Sequence, residues 1–97
     1  MAKMMVLVFY DRAFDENIME ALKGIGVKDF SKWQDTLGAG THEPHLGDTV
    51  WPGLNNTLAV VTEEAVKEEI FRAVRRLQRD YPVIALRAFS LPVLDMV

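Results

Sequence analysis

From Met4 to Tyr10 the chain reads MMVLVFY, apolar at every position. Both faces of that segment ask for burial, which is the pattern of a central strand. Beyond it, Ile18, Ala21, Leu22 and Ile25 recur at helical spacing and form one apolar stripe. Asp15 is expected to cap that helix, with Phe14 stapled onto Met19. Gly24 and Gly26 are expected to end it, because glycine tolerates the left-handed conformation of a C-cap. Val27 to Leu37, VKDFSKWQDTL, is polar and weakly patterned, as an edge strand is when Lys and Asp discourage unwanted pairing. Thr57 to Val61, TLAVV, reads as another two-faced strand. Thr62 is the expected cap of a second helix whose inner face is Val66, Ile70, Ala73, Val74 and Leu77. Glu63 and Glu64 stand at its positive end and Arg75, Arg76 and Arg79 near its negative end, as the helix dipole favours. Pro82 stops it, Val83 to Phe89 supplies the last strand, and the tail SLPVLDMV stays apolar.

The order is strand, helix, strand, strand, helix, strand. With right-handed crossovers it predicts an α+β fold of ferredoxin-like βαββαβ type: a four-stranded antiparallel sheet with two helices on one face. Residues 1–97 form one domain, interrupted by a long insertion over residues 37–56. The first and third strands fall at the centre, as their patterns require. The fourth falls at an edge, yet it and its tail are too apolar to face water, so a neighbouring subunit is expected to cover them.

The insertion, LGAGTHEPHLGDTVWPGLNN, is far longer than the two to five residues of an ordinary hairpin loop. It holds both histidines. His42 and His45 flank Glu43 and Pro44, with Asp48 nearby, and imidazole with carboxylate suits zinc or copper. Two solvated histidines in a polar loop are the plainer alternative. Gly38 and Gly40 let the backbone approach a ligand closely. Pro52 and Gly53 fit a type II turn in WPGLN, the stretch from Trp51 to Asn55. Trp51 there can stack on a ring or plug a subunit contact. Arg87 interrupts the apolar VIALRAF, where a lone cation reaches either solvent or an anion. The arginine row on the second helix reads as a solvated face, with Glu68 four residues before Arg72.

Composition narrows the functional classes. A net charge of −3 and a pI near 5.3 do not suit a nucleic-acid backbone, whose partners are basic. With no cysteine there is no disulfide, thiolate ligand or thiol nucleophile, which fits a reducing compartment. No apolar run is long enough to span a bilayer and the start lacks a signal-peptide core, so the expectation is a cytoplasmic protein without membrane insertion. Ser31 and Ser90 have no base beside them in sequence, and the chain is read as a non-enzyme.

Several stretches together resemble the PII superfamily of trimeric signalling proteins. FDENIMEALKGIGVKDF resembles that family's first helix and the turn into its second strand. LGAG resembles the glycine-rich entry to its long T-loop, and LPVLDMV its closing strand. The resemblance covers most of the chain. It implies a homotrimer with ligand clefts between subunits, where adenine nucleotides bind, and a T-loop that signals to a target protein. Gly38 and Gly40 match the glycines at the T-loop base. Arg87 falls where the family has a phosphate-binding lysine, and His42 where nucleotide-binding members have glutamine. The Gly- and Lys-rich B-loop is replaced by RRLQRDYP, the closing arginines are lacking, and the insertion has no tyrosine for uridylylation.

The short length and WPGLN resemble a divergent PII-like group often associated with heavy-metal efflux transporters. The implied ligand set is Gly38, Gly40, His42, Trp51, Asn55 and Arg87, for an adenine nucleotide or a metal ion. The implied partners are the trimer mates and a target such as a membrane transporter. The alternative is a zinc- or copper-binding sensing or tolerance protein like the copper-tolerance CutA family, which shares the trimeric fold, with His42, His45 and Glu43 as ligands.

Overall fold

The computed structural model describes residues 3–37 and 54–97. Strand β1 spans Lys3–Asp11, helix α1 Asp15–Ile25, β2 Ser31–Thr36, β3 Asn55–Glu63, helix α2 Glu64–Asp80 and β4 Leu86–Pro92. The strands form one antiparallel sheet in the order β2-β3-β1-β4. This is the expected ferredoxin-like arrangement, with the two-faced strands β1 and β3 at its centre. Alternate residues of a strand point to opposite faces. Val6, Val8 and Tyr10 of β1, Leu58 and Val60 of β3, and Leu86 of β4 therefore meet the helices. There they form one core with Ile18, Leu22, Ile70 and Val74. The void left between β1 and the two helices is apolar and about 10 Å³, too small for a ligand.

Among the described residues, the other face of the sheet carries no layer. Its register sets Trp33, Thr57, Phe9 and Arg87 in one row, Ser31, Ala59, Leu7 and Phe89 in the next, and Val61, Met5 and Leu91 in a third. Phe9 and Phe89 touch edge to face, with centroids 6.0 Å apart. Trp33, Val61, Phe89 and Leu91 are nonetheless exposed, Trp33 by 55% and Phe89 by 51%. Among the described residues no helix is long and apolar enough to cross a membrane.

Element boundaries depart from the sequence expectations in informative ways. Asp15 does not cap α1: it is the helix's first residue, and Phe14, at the cap position, makes no side-chain cap bond. A short 3-10 turn, Arg12–Phe14, precedes the helix and takes its own cap from Asp11, whose carboxylate accepts the Ala13 N–H at 2.9 Å. Phe14 packs edge-on against Tyr81, centroids 5.0 Å apart. Gly26 does end α1, at φ 98°, and its N–H reaches the carbonyls of Leu22 and Lys23. Gly24, by contrast, lies within the helix.

Thr62 is no cap either. It pairs with Met4 inside β3, and α2 begins two residues later without a side-chain cap bond. Strand β2 is shorter than expected, because residues 27–30 are not paired in the sheet. Strand β4 lies three residues later than expected. A turn closed by the Ile84 N–H on the Tyr81 carbonyl consumes the start of the apolar run.

Candidate functional site

Two features of the described residues have the chemistry of a site, and they lie at opposite ends of β3. The first is a cleft of about 240 Å³ lined by Ile25 to Asp29, Val60 to Thr62, and Val66. It exists because β2 begins late, at Ser31. The last β2–β3 pair on this side is Ser31 with Ala59, whereas β3 continues to Glu63 along β1. Backbone groups of Val60 to Glu63 on the β2 side therefore have no strand partner among the described residues, and alternate ones point outward along that edge. Gly26, in its left-handed conformation, turns the chain from α1 across the opening. Ile25, Val27 and Val66 supply apolar walls, with Lys28 and Asp29 at the rim. A flat ring with a polar edge is the shape such a slot accepts: apolar faces above and below, backbone donors and acceptors at the edge.

The second feature is a polar network at the other end of the sheet, where β2 ends and β3 begins. Asp15 is its hub. Its Oδ1 accepts from the Tyr10 hydroxyl at 2.5 Å and from Asn56 Nδ2 at 3.1 Å, and its two oxygens take Lys32 Nζ at 3.2 and 3.1 Å. Burial alone would raise the Asp15 pKa, but these donors and the lysine charge outweigh it and hold the carboxyl below its ordinary value. Burial, and then the adjacent Asp15 carboxylate, push the Tyr10 phenol far up, so it stays a donor. Asn56, almost fully buried, uses its oxygen to accept the Asp35 N–H at 3.2 Å. Asp35 has φ 57°, unusual for a residue with a β-carbon, and sits in an irregularity between Trp33 and Thr36. Its carboxylate receives Arg12 Nη1 at 2.9 Å.

Of the residues singled out in the sequence, two fall within the described part. Asn55 belongs to β3 rather than to the preceding loop, opposite Asp11. Its Oδ1 is buried and has no hydrogen-bond partner among the described residues. Arg87 is exposed on the open face beside Phe9, and its Nη1 donates to the Leu86 carbonyl at 3.0 Å. Gly38, Gly40, His42, Glu43, His45, Asp48 and Trp51 lie outside the described residues. Among the described residues no three potential ligands cluster as a metal site would need.

Sequence reasoning missed the cleft and the network. The cleft arises from a length mismatch between paired strands, and the network joins residues 17 and 41 positions apart. One signal was available: the GIGV turn that ends α1 also forms the cleft wall. Within one chain Arg87 and the cleft do not meet. The register sets Arg87 level with Thr57, two strands from β3, roughly 15 Å from Val61 at ordinary strand spacings.

Comparison with solved structures identifies the architecture. A PII-like signalling protein of Thermus thermophilus superposes with a TM-score of 0.64 at 24% identity, over 95% of this chain and 87% of that one. CPII of Thiomonas intermedia, bound to ADP and bicarbonate, gives 0.77 at 14% identity, over 96% and 87%. GlnK of B. subtilis gives 0.72 at 13% identity, over 100% and 90%. No sequence-family model matches the chain, and no curated protein does. The fold is thus PII-like, as the sequence motifs implied.

Proposed function

We propose that this chain is the subunit of a PII-like homotrimeric signal-transduction protein, regulatory rather than catalytic. It binds a small effector between subunits and acts on a target through the 37–56 loop. The observation that carries this reading is the cleft beside the unpaired end of β3. Its volume, about 240 Å³, falls below the range of whole-ligand pockets, so it suits one ring of a larger ligand. An adenine base fits that description, and CPII, of similar fold, binds ADP.

The remainder of such a ligand lies beyond the cleft, and a cation for its phosphates has to come from elsewhere. Arg87 cannot supply it within the same chain but can across a subunit boundary. Closing the bare apolar face of the sheet against two further copies is the simplest way to make that boundary, because cyclic assembly buries the same patch on every copy. Gly38, Gly40, His42 and Trp51 then act at the base of the loop and within it. The orphaned Asn55 oxygen is an acceptor for a donor from the ligand or a neighbour. The target is a membrane transporter, of the kind met in heavy-metal efflux, or another regulated protein.

The test is calorimetric titration of metal-free full-length protein with ATP, ADP and AMP, after its mass in solution has been measured. One site per chain is expected, and Arg87→Ala is expected to weaken ADP at least tenfold without changing the mass. Unchanged affinity would remove Arg87 from the site. Saturable zinc or copper binding with no nucleotide binding would transfer the role to His42, His45 and Glu43, and nucleotide sensing would be abandoned.

A further inference from the structure

We propose that the hydrogen-bonded chain Lys32–Asp15–Asn56–Asp35–Arg12 is a relay that ties the cleft end of β2 to its far end, making the Asp35 irregularity respond to what occupies the cleft. Its signalling role rests on the effector reading above; the coupling itself does not.

The relay meets the cleft through the backbone at the start of β2, not through a side chain of the cleft lining. Lys32 is the second residue of β2, three positions beyond Asp29 on the cleft rim. Its ammonium holds both oxygens of Asp15. Asp15 holds the Asn56 amide, whose oxygen holds the Asp35 N–H. The Asp35 carboxylate then holds Arg12, outside the sheet. Asn56 is 3% exposed and Tyr10, the remaining donor to Asp15, is fully buried. Asn56 and Tyr10 have little water to replace a lost partner, so a change at the partly exposed Lys32–Asp15 pair has to be met by these two.

The far end has two available arrangements. A β-carbon disfavours the left-handed region, and Asp35 stays there while the Asn56 oxygen and Arg12 hold its two polar groups. Without them the residue returns to extended backbone and the irregularity between Trp33 and Thr36 is lost. Thr36 then leaves its pairing with Asn55, and a one-residue slip turns Thr36 to the opposite face. A ligand that reorders residues 28–31 displaces Lys32, withdraws the counter-charge from Asp15 and frees the Asn56 amide to rotate. A small displacement at the cleft thereby becomes a discrete change of register at the other end of β2.

Amide hydrogen exchange by NMR on the full-length protein tests this. Lys32→Met is expected to accelerate exchange at the Asp35 amide at least tenfold, while Lys23→Met, on the exposed side of α1, leaves it within twofold. A folded Lys32→Met variant with wild-type exchange at Asp35 would overturn the relay. If that variant does not fold, Lys32→Arg is read instead. Its altered donor geometry should accelerate Asp35 exchange several-fold, and exchange at the parent rate would equally overturn the relay.

Adding ADP separates the two ideas, with cleft occupancy followed at the Lys28 and Asp29 amides. Occupancy that alters Asp35 exchange in the wild type but not in Lys32→Met supports the signalling role. Occupancy that leaves Asp35 unmoved in the wild type refutes it. If ADP shifts neither cleft amide, the nucleotide reading fails by itself, and the comparison of Lys32→Met with Lys23→Met still decides the coupling.

Discussion

The two faces of the sheet are made from the same strands and end in opposite conditions. On the helix side Val6, Val8, Leu58 and Val60 are at most 2% exposed. On the other side their neighbours Phe9, Val61, Phe89 and Leu91 are 37–51% exposed. Both sets are apolar, so composition does not distinguish them; the supply of covering elements does. The described residues hold two α-helices, enough for one face. The first face is covered by the chain's own folding, and the second is the face that the proposed trimer would bury.

The comparison can be broken first on the covered face. Ile70→Ala removes a side chain that is 1% exposed and is expected to cost about 2–5 kcal/mol, read as a lower urea midpoint. If the faces are independent, it should leave the mass of the remaining folded protein unchanged. On the open face the expected result is the reverse. Phe89→Asp should keep helical circular dichroism but weaken association by roughly 10- to 150-fold per contact, the equivalent of losing one buried aromatic. Light scattering across a dilution series checks this, and undiminished assembly would show that the open face is not the interface.

Smaller effects sharpen the boundary between the faces. Asp15→Ala leaves the Tyr10, Lys32 and Asn56 donors without their acceptor and should cost about 1–3 kcal/mol. The sign of its pH dependence follows from the lowered pKa. The carboxylate contributes fully above its ordinary value of 3.8 and loses that contribution as pH falls through the lower folded value. Urea midpoints measured down the acid limb should therefore fall less steeply in Asp15→Asn than in the parent. Gly26→Ala meets no atom within 4 Å but forces a β-carbon into φ 98°, at a cost of about 1–2 kcal/mol. Thermal unfolding would register it; an unchanged midpoint would mean that the end of α1 rearranges.

Much of the fold was legible because β1, β3 and both helices carry unambiguous periodicities, and strand order followed from which strands were two-faced. What was lost was lost for local reasons. Asp15 and Thr62 are good cap residues by type, but Asp15 was claimed by three distant donors and Thr62 by a sheet partner. Val83 and Ile84 are apolar enough for a strand, yet the turn after α2 takes them. The site was less legible. Arg87 and Asn55 stand out as a cation in an apolar run and a residue beside a turn. The cleft depends on β2 being shorter than β3 and starting opposite Ala59, and periodicity carries no information on relative length. The Asp35 conformation depends on Arg12 and Asn56 together, neither of which is conspicuous alone.

The place of β1 at the centre of the sheet also bears on how the molecule is made. Its partner on one side, β4, is the last strand in chain order, and roughly 75 residues separate Asp11 from Leu86. At ribosomal rates of about 5–20 residues per second, β1 waits roughly 4–15 s for that partner. Throughout that interval an apolar strand has an unsatisfied backbone edge, which is a template for pairing with another chain. Among the described strands, synthesis and completion run in opposite directions: the first in chain order is the last to be flanked on both sides. A chaperone that shields Met4 to Tyr10 until Leu86 emerges would therefore raise the yield of folded protein more than one acting on either helix.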